Sequence, residues 1–141
     1  MISQKARYAL RALLYLARKG QSASVAEIAA AESLPQKFLE HVMSALKTRG
    51  LVVARRGAGG GYALARPPTG ISCAEVLRCI DGPLALAPCA SQTAFGPCPD
   101  CKSLDDCEIR PVLIAVRDTT ALLLEGTSLA EMLGGRQISF L

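Results

Sequence analysis

Four glycines and an alanine, Gly57-Ala58-Gly59-Gly60-Gly61, stand between two short β-prone runs, Leu51-Val52-Val53-Ala54 and Tyr62-Ala63-Leu64-Ala65. Such runs around a glycine cluster read as the arms of a β-hairpin, because glycine reaches the positive φ values that a tight reversal requires. Arg55 and Arg56 lead into the tip, so the hairpin is basic as well as glycine-rich. Glycine runs also cradle nucleotide phosphates, but the P-loop form needs a Lys followed by Ser or Thr after its last glycine. Tyr62 and Ala63 follow here, which excludes it.

The signals on either side of the hairpin are helical. Ser3 can cap a helix to about Lys19, with Ala6, Leu10, Leu13, Leu14 and Ala17 on one stripe and Gly20 as its stop. Ser24-Val25-Ala26-Glu27 has the form of a capping box and opens a short helix to about Glu32. Ser33-Leu34 makes a turn, and Pro35 suits the first position of another helix, whose apolar stripe Phe38, Leu39, Val42, Met43 and Leu46 runs to Gly50. Two short helices around a tight turn, followed by a hairpin, predict a winged helix-turn-helix. A second capping box, Ser72-Cys73-Ala74-Glu75, predicts a helix to Ile80 that stops at Asp81-Gly82. From about Asp105 to Gly126, Ile109, Val112, Leu113, Val116, Thr120, Leu123 and Leu124 recur three and four apart, so one face needs cover. In a chain of 141 residues the same helix of a second copy is the natural cover, which predicts a two-fold homodimer. Thr127-Ser128 can cap a last helix, Leu129 to Leu133, and Gly134-Gly135 begins a tail expected to be loose.

Charge divides the chain. Up to Arg66 there are eleven Lys or Arg and three Glu, a balance of +8, and from Pro67 there are five against nine, a balance of −4. The basic half is the footprint of a phosphate-backbone binder, and the acidic remainder belongs away from DNA. Gln36, Lys37, Lys47 and Arg55 are candidate phosphate contacts. His41, the one histidine, reads as a surface residue or phosphate neighbour, and Tyr8 and Tyr15 as packing or backbone-touching residues. No run of eighteen apolar residues exists and the start lacks a secretory signal, so the chain is expected in the cytoplasm, without a membrane partner.

Four of the six cysteines, Cys89, Cys98, Cys101 and Cys107, fall in a stretch of Pro, Gly, Ser and Asp with few apolar side chains to order it. In a reducing compartment such a cluster favours metal or redox chemistry over structural disulfides. Thiolates suit both Zn and Fe–S centres, and the Cys98-Pro99-Asp100-Cys101 spacing can put two sulfurs on one metal, with Cys89 completing a four-thiolate set. Asp100, Asp105, Asp106 and Glu108 raise thiol pKa values unless a cation is present, which favours metal over a bare reactive thiolate. A thiol–disulfide switch and a zinc site stay open beside the cluster. A dithiol oxidoreductase using Cys98 and Cys101 wants a thioredoxin-like βαβ setting that this loop lacks, and no Ser–His or Cys–His pair is in view, so no enzyme is expected. Cys73 and Cys79 lie among Val76, Leu77 and Ile80 and read as small core residues.

The order of basic helix, helix-turn-helix, wing, linker helix, cysteine loop and long helix resembles the Rrf-two family of bacterial transcription regulators over nearly the whole chain. The segment from Gly50 to Arg66 looks like the family's wing signature, and Phe38-Leu39-Glu40 is similar to its aromatic-Leu-Glu segment. The resemblance implies a mainly α fold with a small β-hairpin wing: a winged helix-turn-helix domain (residues 1–66), a linker helix and cysteine-rich loop (67–104), and a dimerisation helix with C-terminal tail (105–141). It implies a dimer on a roughly palindromic double-stranded operator, commonly as a repressor. It also implies that Glu40 reaches base edges, such as a cytosine amino group, and that Arg56 enters a minor groove, with Gly57, Gly59 and Gly60 letting the wing backbone come close. Glu40 has an alternative role as a solvated residue or a neutraliser of Lys37. Several family members hold an iron–sulfur cluster through three cysteines of this loop, the last two with five residues between them. Cys101 and Cys107 match that spacing. The family's first cysteine has no counterpart here, because Thr93, Ala94 and Phe95 occupy its span, so Cys89 and Cys98 enter the ligand set by chemistry alone.

Overall fold

Small side chains let the first helix sit at the centre of the molecule. In the structure, a computed structural model that describes residues 2–135 and Ile138, α1 (Gln4–Lys19) buries Ala6, Ala9, Ala12, Leu13 and Leu16. The buried stripe is thus rotated from the expected one toward the alanines, and Leu10, Leu14 and Ala17 are half-buried at its edge. Alanine removes no side-chain entropy and permits close approach, and α1 packs against α2 (Val25–Glu32), α3 (Gln36–Thr48), α4 (Cys73–Asp81) and α6 (Leu129–Leu133). The Ser3 hydroxyl accepts from the Ala6 N–H at 2.9 Å and donates to Asp81 at the end of α4, and the Ser3 N–H donates to the same carboxylate at 2.9 Å.

Between α2 and α3, Ser33 takes a left-handed conformation (φ 55°) and the Leu34 N–H donates to the Ala29 carbonyl at 2.9 Å, a turn that buries Leu34. Pro35 stands just before α3 as its cap rather than inside it. The α3 stripe buries Leu39, Val42, Met43 and Leu46, each worth about 2 kcal/mol. Phe38 is the exception, partly exposed with its edge on the Tyr8 ring (centroids 5.5 Å apart, planes at 89°). Ser24 caps α2 through the Glu27 N–H at 3.0 Å, but the Glu27 carboxylate does not reach back. It accepts from Tyr15 and from Lys19 at 2.6 Å each, which ties α2 to α1 and holds the Glu27 carboxyl below its ordinary range. The expected reciprocal box forms at Ser72/Glu75, and a further one, unforeseen, at Ser128/Glu131.

The wing pairs β1 (Val52–Arg55) with β2 (Gly61–Leu64) antiparallel, with Val52 opposite Leu64 and Arg55 opposite Gly61. Its second strand also bridges Ala23, through Ala23 N–H to Tyr62 O at 2.9 Å and Tyr62 N–H to Ala23 O at 2.8 Å, so the hairpin is docked on the entry to α2. The main core joins α1 and α3 to Ile71, Val76 and Leu129 beyond the wing. The long helix α5 (Arg110–Glu125) begins five residues later than expected, with Pro111 in its first turn. Residues 101–109 stay irregular. The expected loose tail falls largely on residues 136, 137 and 139–141, outside the described residues. No helix among the described residues is long and apolar enough to cross a membrane.

Candidate nucleic-acid interface and cysteine cavity

The apolar stripe of α3 fixes which side chains face outward. With Leu39, Val42, Met43 and Leu46 buried, Gln36, Lys37, Glu40, His41 and Lys47 all lie exposed. Among the described residues none of these five side chains makes an ion pair or hydrogen bond, and Glu40 forms no salt bridge with Lys37. The face therefore presents donors and an acceptor that the protein itself leaves unused. Arg55 and Arg56 are also exposed, at the mouth of the wing.

The wing tip is held by backbone geometry. Gly60 N–H donates to Gly57 O at 2.8 Å, and a Cβ on Gly60 would fall 2.7 Å from the carbonyl oxygens of Arg55 and Gly57. Gly61 (φ 134°) is tighter still, because a Cβ there would lie 2.2 Å from the Ala23 carbonyl oxygen. Ser22 Oγ donates to Gly59 O at 2.7 Å, a second tie from the α2 entry to the tip. Ser22 and Ala23 were silent in the sequence, since backbone pairing over so long a separation leaves no local signal.

The loop cysteines gather at a separate cavity. Cys89, Cys98, Cys101 and Cys107 line one cavity of about 450 Å³ with Asp100, Asp106 and Arg110. Cys89 is buried in a short 3₁₀ turn, Pro88–Ala90, and its sulfur lies 3.8 Å from that of Cys98. Burial first, then the Cys98 thiol, push the Cys89 thiol pKa up; Arg110 pulls it down, and the nearby Cys107 adds a smaller upward push. No three His, Cys, Asp or Glu side chains among the described residues close on a common point. The donor set is nonetheless soft, and the cavity has room for a metal centre. Two arginines on one face of α5, about two turns apart, hold the turn. Arg110 Nε donates to the Cys89 carbonyl at 3.3 Å and Arg117 Nη1 to the Ala90 carbonyl at 2.8 Å. Their seven-residue spacing, two cations on the inner side of an amphipathic helix, was the available sequence signal for them. Cys73 is buried away from this cavity, and Cys79 is half-buried with its sulfur 3.8 Å from the Ala45 carbonyl, as core residues. Burial raises both thiols.

The Rrf2 family model, described as an iron-dependent transcriptional regulator, matches residues 2–135. The chain belongs to the Rrf2 family. The rrf2-like protein of Rhodobacter capsulatus is 41% identical over 138 residues, covering 94% of this chain and 92% of that protein. The structure of CymR, the global cysteine regulator of B. subtilis, superposes with a TM-score of 0.77 at 30% identity, over 97% of this chain and 98% of that one. The T. potens IscR structure gives a TM-score of 0.72 at 26% identity, over 100% of this chain and 91% of that one. The expected winged helix-turn-helix architecture is therefore correct, and the chain is a DNA-binding transcriptional regulator, not an enzyme.

Proposed function

We propose that this Rrf2 regulator is a homodimeric, cytoplasmic repressor on a pseudo-palindromic operator, and that Cys89, Cys98, Cys101 and Cys107 hold an iron–sulfur cluster that sets its DNA affinity. The observation that carries the proposal is that all four cysteines line one cavity, on a turn that Arg110 and Arg117 fasten to the inner side of α5, whose opposite face is left uncovered among the described residues. On that face Ile109 (65% exposed), Val112 (58%), Val116 and Leu122 (73%) stand in water. Exposed apolar side chains at helical spacing favour a second α5 as their cover. Leu113, Thr120 and Leu124 of the expected stripe are instead half-buried.

In the dimer, two α3 helices enter successive major grooves, where Glu40 accepts from a cytosine amino group. Gln36, Lys37, Lys47 and Arg55 bond phosphates. Arg56 enters the minor groove, and Gly57, Gly59 and Gly60 bring the wing backbone to the phosphates. A bound cluster would supply reactivity toward iron supply, oxygen or nitric oxide at the cavity. The protein's part is to connect that cavity to the dimer helix through the two arginine–carbonyl bonds. Anaerobic isolation with iron and acid-labile sulfide analysis tests the proposal. Both elements are expected in the wild-type chain and lost in Cys101→Ser; a colourless chain without iron after reconstitution refutes it.

A further inference from the structure

The sequence offers Cys98 and Cys101 as the close pair of the loop, but the structure puts Cys98 against Cys89. We infer that the metal-free loop forms a specific Cys89–Cys98 disulfide on reaction with a hydroperoxide. The inference rests on reading this loop as the sensing site, and it does not require that the loop carry a cluster.

Three observations converge on this pair. The two sulfurs are 3.8 Å apart, so a modest side-chain rotation that closes about 1.8 Å reaches bonding distance. The chain between them is already folded back on itself: Gly96 N–H donates to Pro88 O at 3.2 Å, and Ala94 N–H donates to Ser91 Oγ at 2.9 Å. Cys89 is 5% exposed whereas Cys98 is only partly covered, which assigns the two sulfurs different tasks. The Cys98 sulfur attacks the hydroperoxide, the O–O bond breaks, and water or an alcohol leaves as Cys98 becomes a sulfenic acid. The Cys89 sulfur then attacks Cys98 Sγ, the S–S bond forms, and the hydroxyl departs as water with the Cys89 proton. Two thiols are oxidised and one peroxide is reduced.

The bond has a consequence for the dimer helix. The Cys89 and Ala90 carbonyls are already held by Arg110 and Arg117, so the disulfide fastens the residue-98 end of the loop to α5 as well. It also removes two thiolates from the cavity, which makes disulfide and metal occupancy mutually exclusive.

The test uses the full chain, stripped of metal by a chelator and treated with hydrogen peroxide. Free thiols are alkylated with a light reagent, disulfides are reduced, and released thiols are alkylated with a heavy one. Heavy label is expected on Cys89 and Cys98 and light label on Cys101 and Cys107. Cys98→Ser should abolish heavy labelling of Cys89, and Cys101→Ser should leave the pair intact. Heavy label on Cys98 with Cys101, on Cys101 with Cys107, or on none overturns the inference. Iron analysis of the untreated chain reads the cluster separately, so either idea can fail alone.

Discussion

Gly61→Ala isolates the docking of the wing. A Cβ at Gly61 would lie 2.2 Å from the Ala23 carbonyl oxygen and 2.6 Å from the Ser24 nitrogen, both backbone atoms that no rotamer change can move aside. Strand β2 must therefore leave the α2 entry and give up the two Ala23–Tyr62 hydrogen bonds. At about 1 kcal/mol each, their loss costs about 2 kcal/mol, which in a chain of this size lowers the melting temperature by about 4–8 °C. Gly59→Ala is the matched control. Its φ is also positive (77°), but nothing lies within 4 Å of the new Cβ, so only backbone strain of about 1 kcal/mol is added. Thermal melting with hydrogen exchange at the Tyr62 amide is the assay. Gly61→Ala should melt below Gly59→Ala and expose the Tyr62 amide, and DNA binding should weaken because Arg56 loses its fixed position. Equal melting and an equally protected Tyr62 amide in the two variants would show that the Ala23–Tyr62 pairing does not hold the wing in place.

Arg56→Ala should weaken DNA binding, and Arg55→Ala, at a phosphate contact, should reduce the slope of log K against log salt by about 0.9, both read by fluorescence anisotropy across a salt series. Glu40→Ala should relax base preference at one operator position by about 1–3 kcal/mol, measured with single-base operator variants, and leave the salt slope unchanged. Val112→Asp should yield a folded monomer in analytical ultracentrifugation, since the side chain is exposed in the single chain. Glu27 is held below its unfolded pKa by hydrogen bonds from Lys19 and Tyr15, so it stabilises the fold fully above the ordinary carboxylate value of 4.5. That stabilisation disappears as pH falls through the lowered folded value. Glu27→Gln should accordingly lose stability relative to wild type near neutral pH and converge with it in acid, followed by chemical denaturation across pH.

Local signals were legible in the sequence, and long-range ones were not. Ser3, Ser24, Ser72 and Ser128 each cap the helix that their position predicts, because a cap is decided within four residues. The hairpin was legible for the same reason, within one residue at either end. Glu27 broke its box because two donors on α1, brought near only by folding, outcompete the local amide. The α5 stripe divided because the cysteine turn and α4 claim one side of the helix while Ile109, Val112 and Val116 remain exposed on the other. Spacing suggested Cys98 with Cys101, whereas the fold of residues 88–96 delivers Cys89 to Cys98.

In the proposed function, the cysteine loop controls the DNA-reading head through α5. The direct measurement is the affinity of one anaerobic preparation for an operator selected from genomic DNA, before and after metal removal at constant salt. A coupling free energy of about 1–3 kcal/mol predicts affinities that differ about 5- to 150-fold, and the difference should shrink in an Arg117→Ala variant. Equal affinities for the loaded and stripped chain would contradict this control.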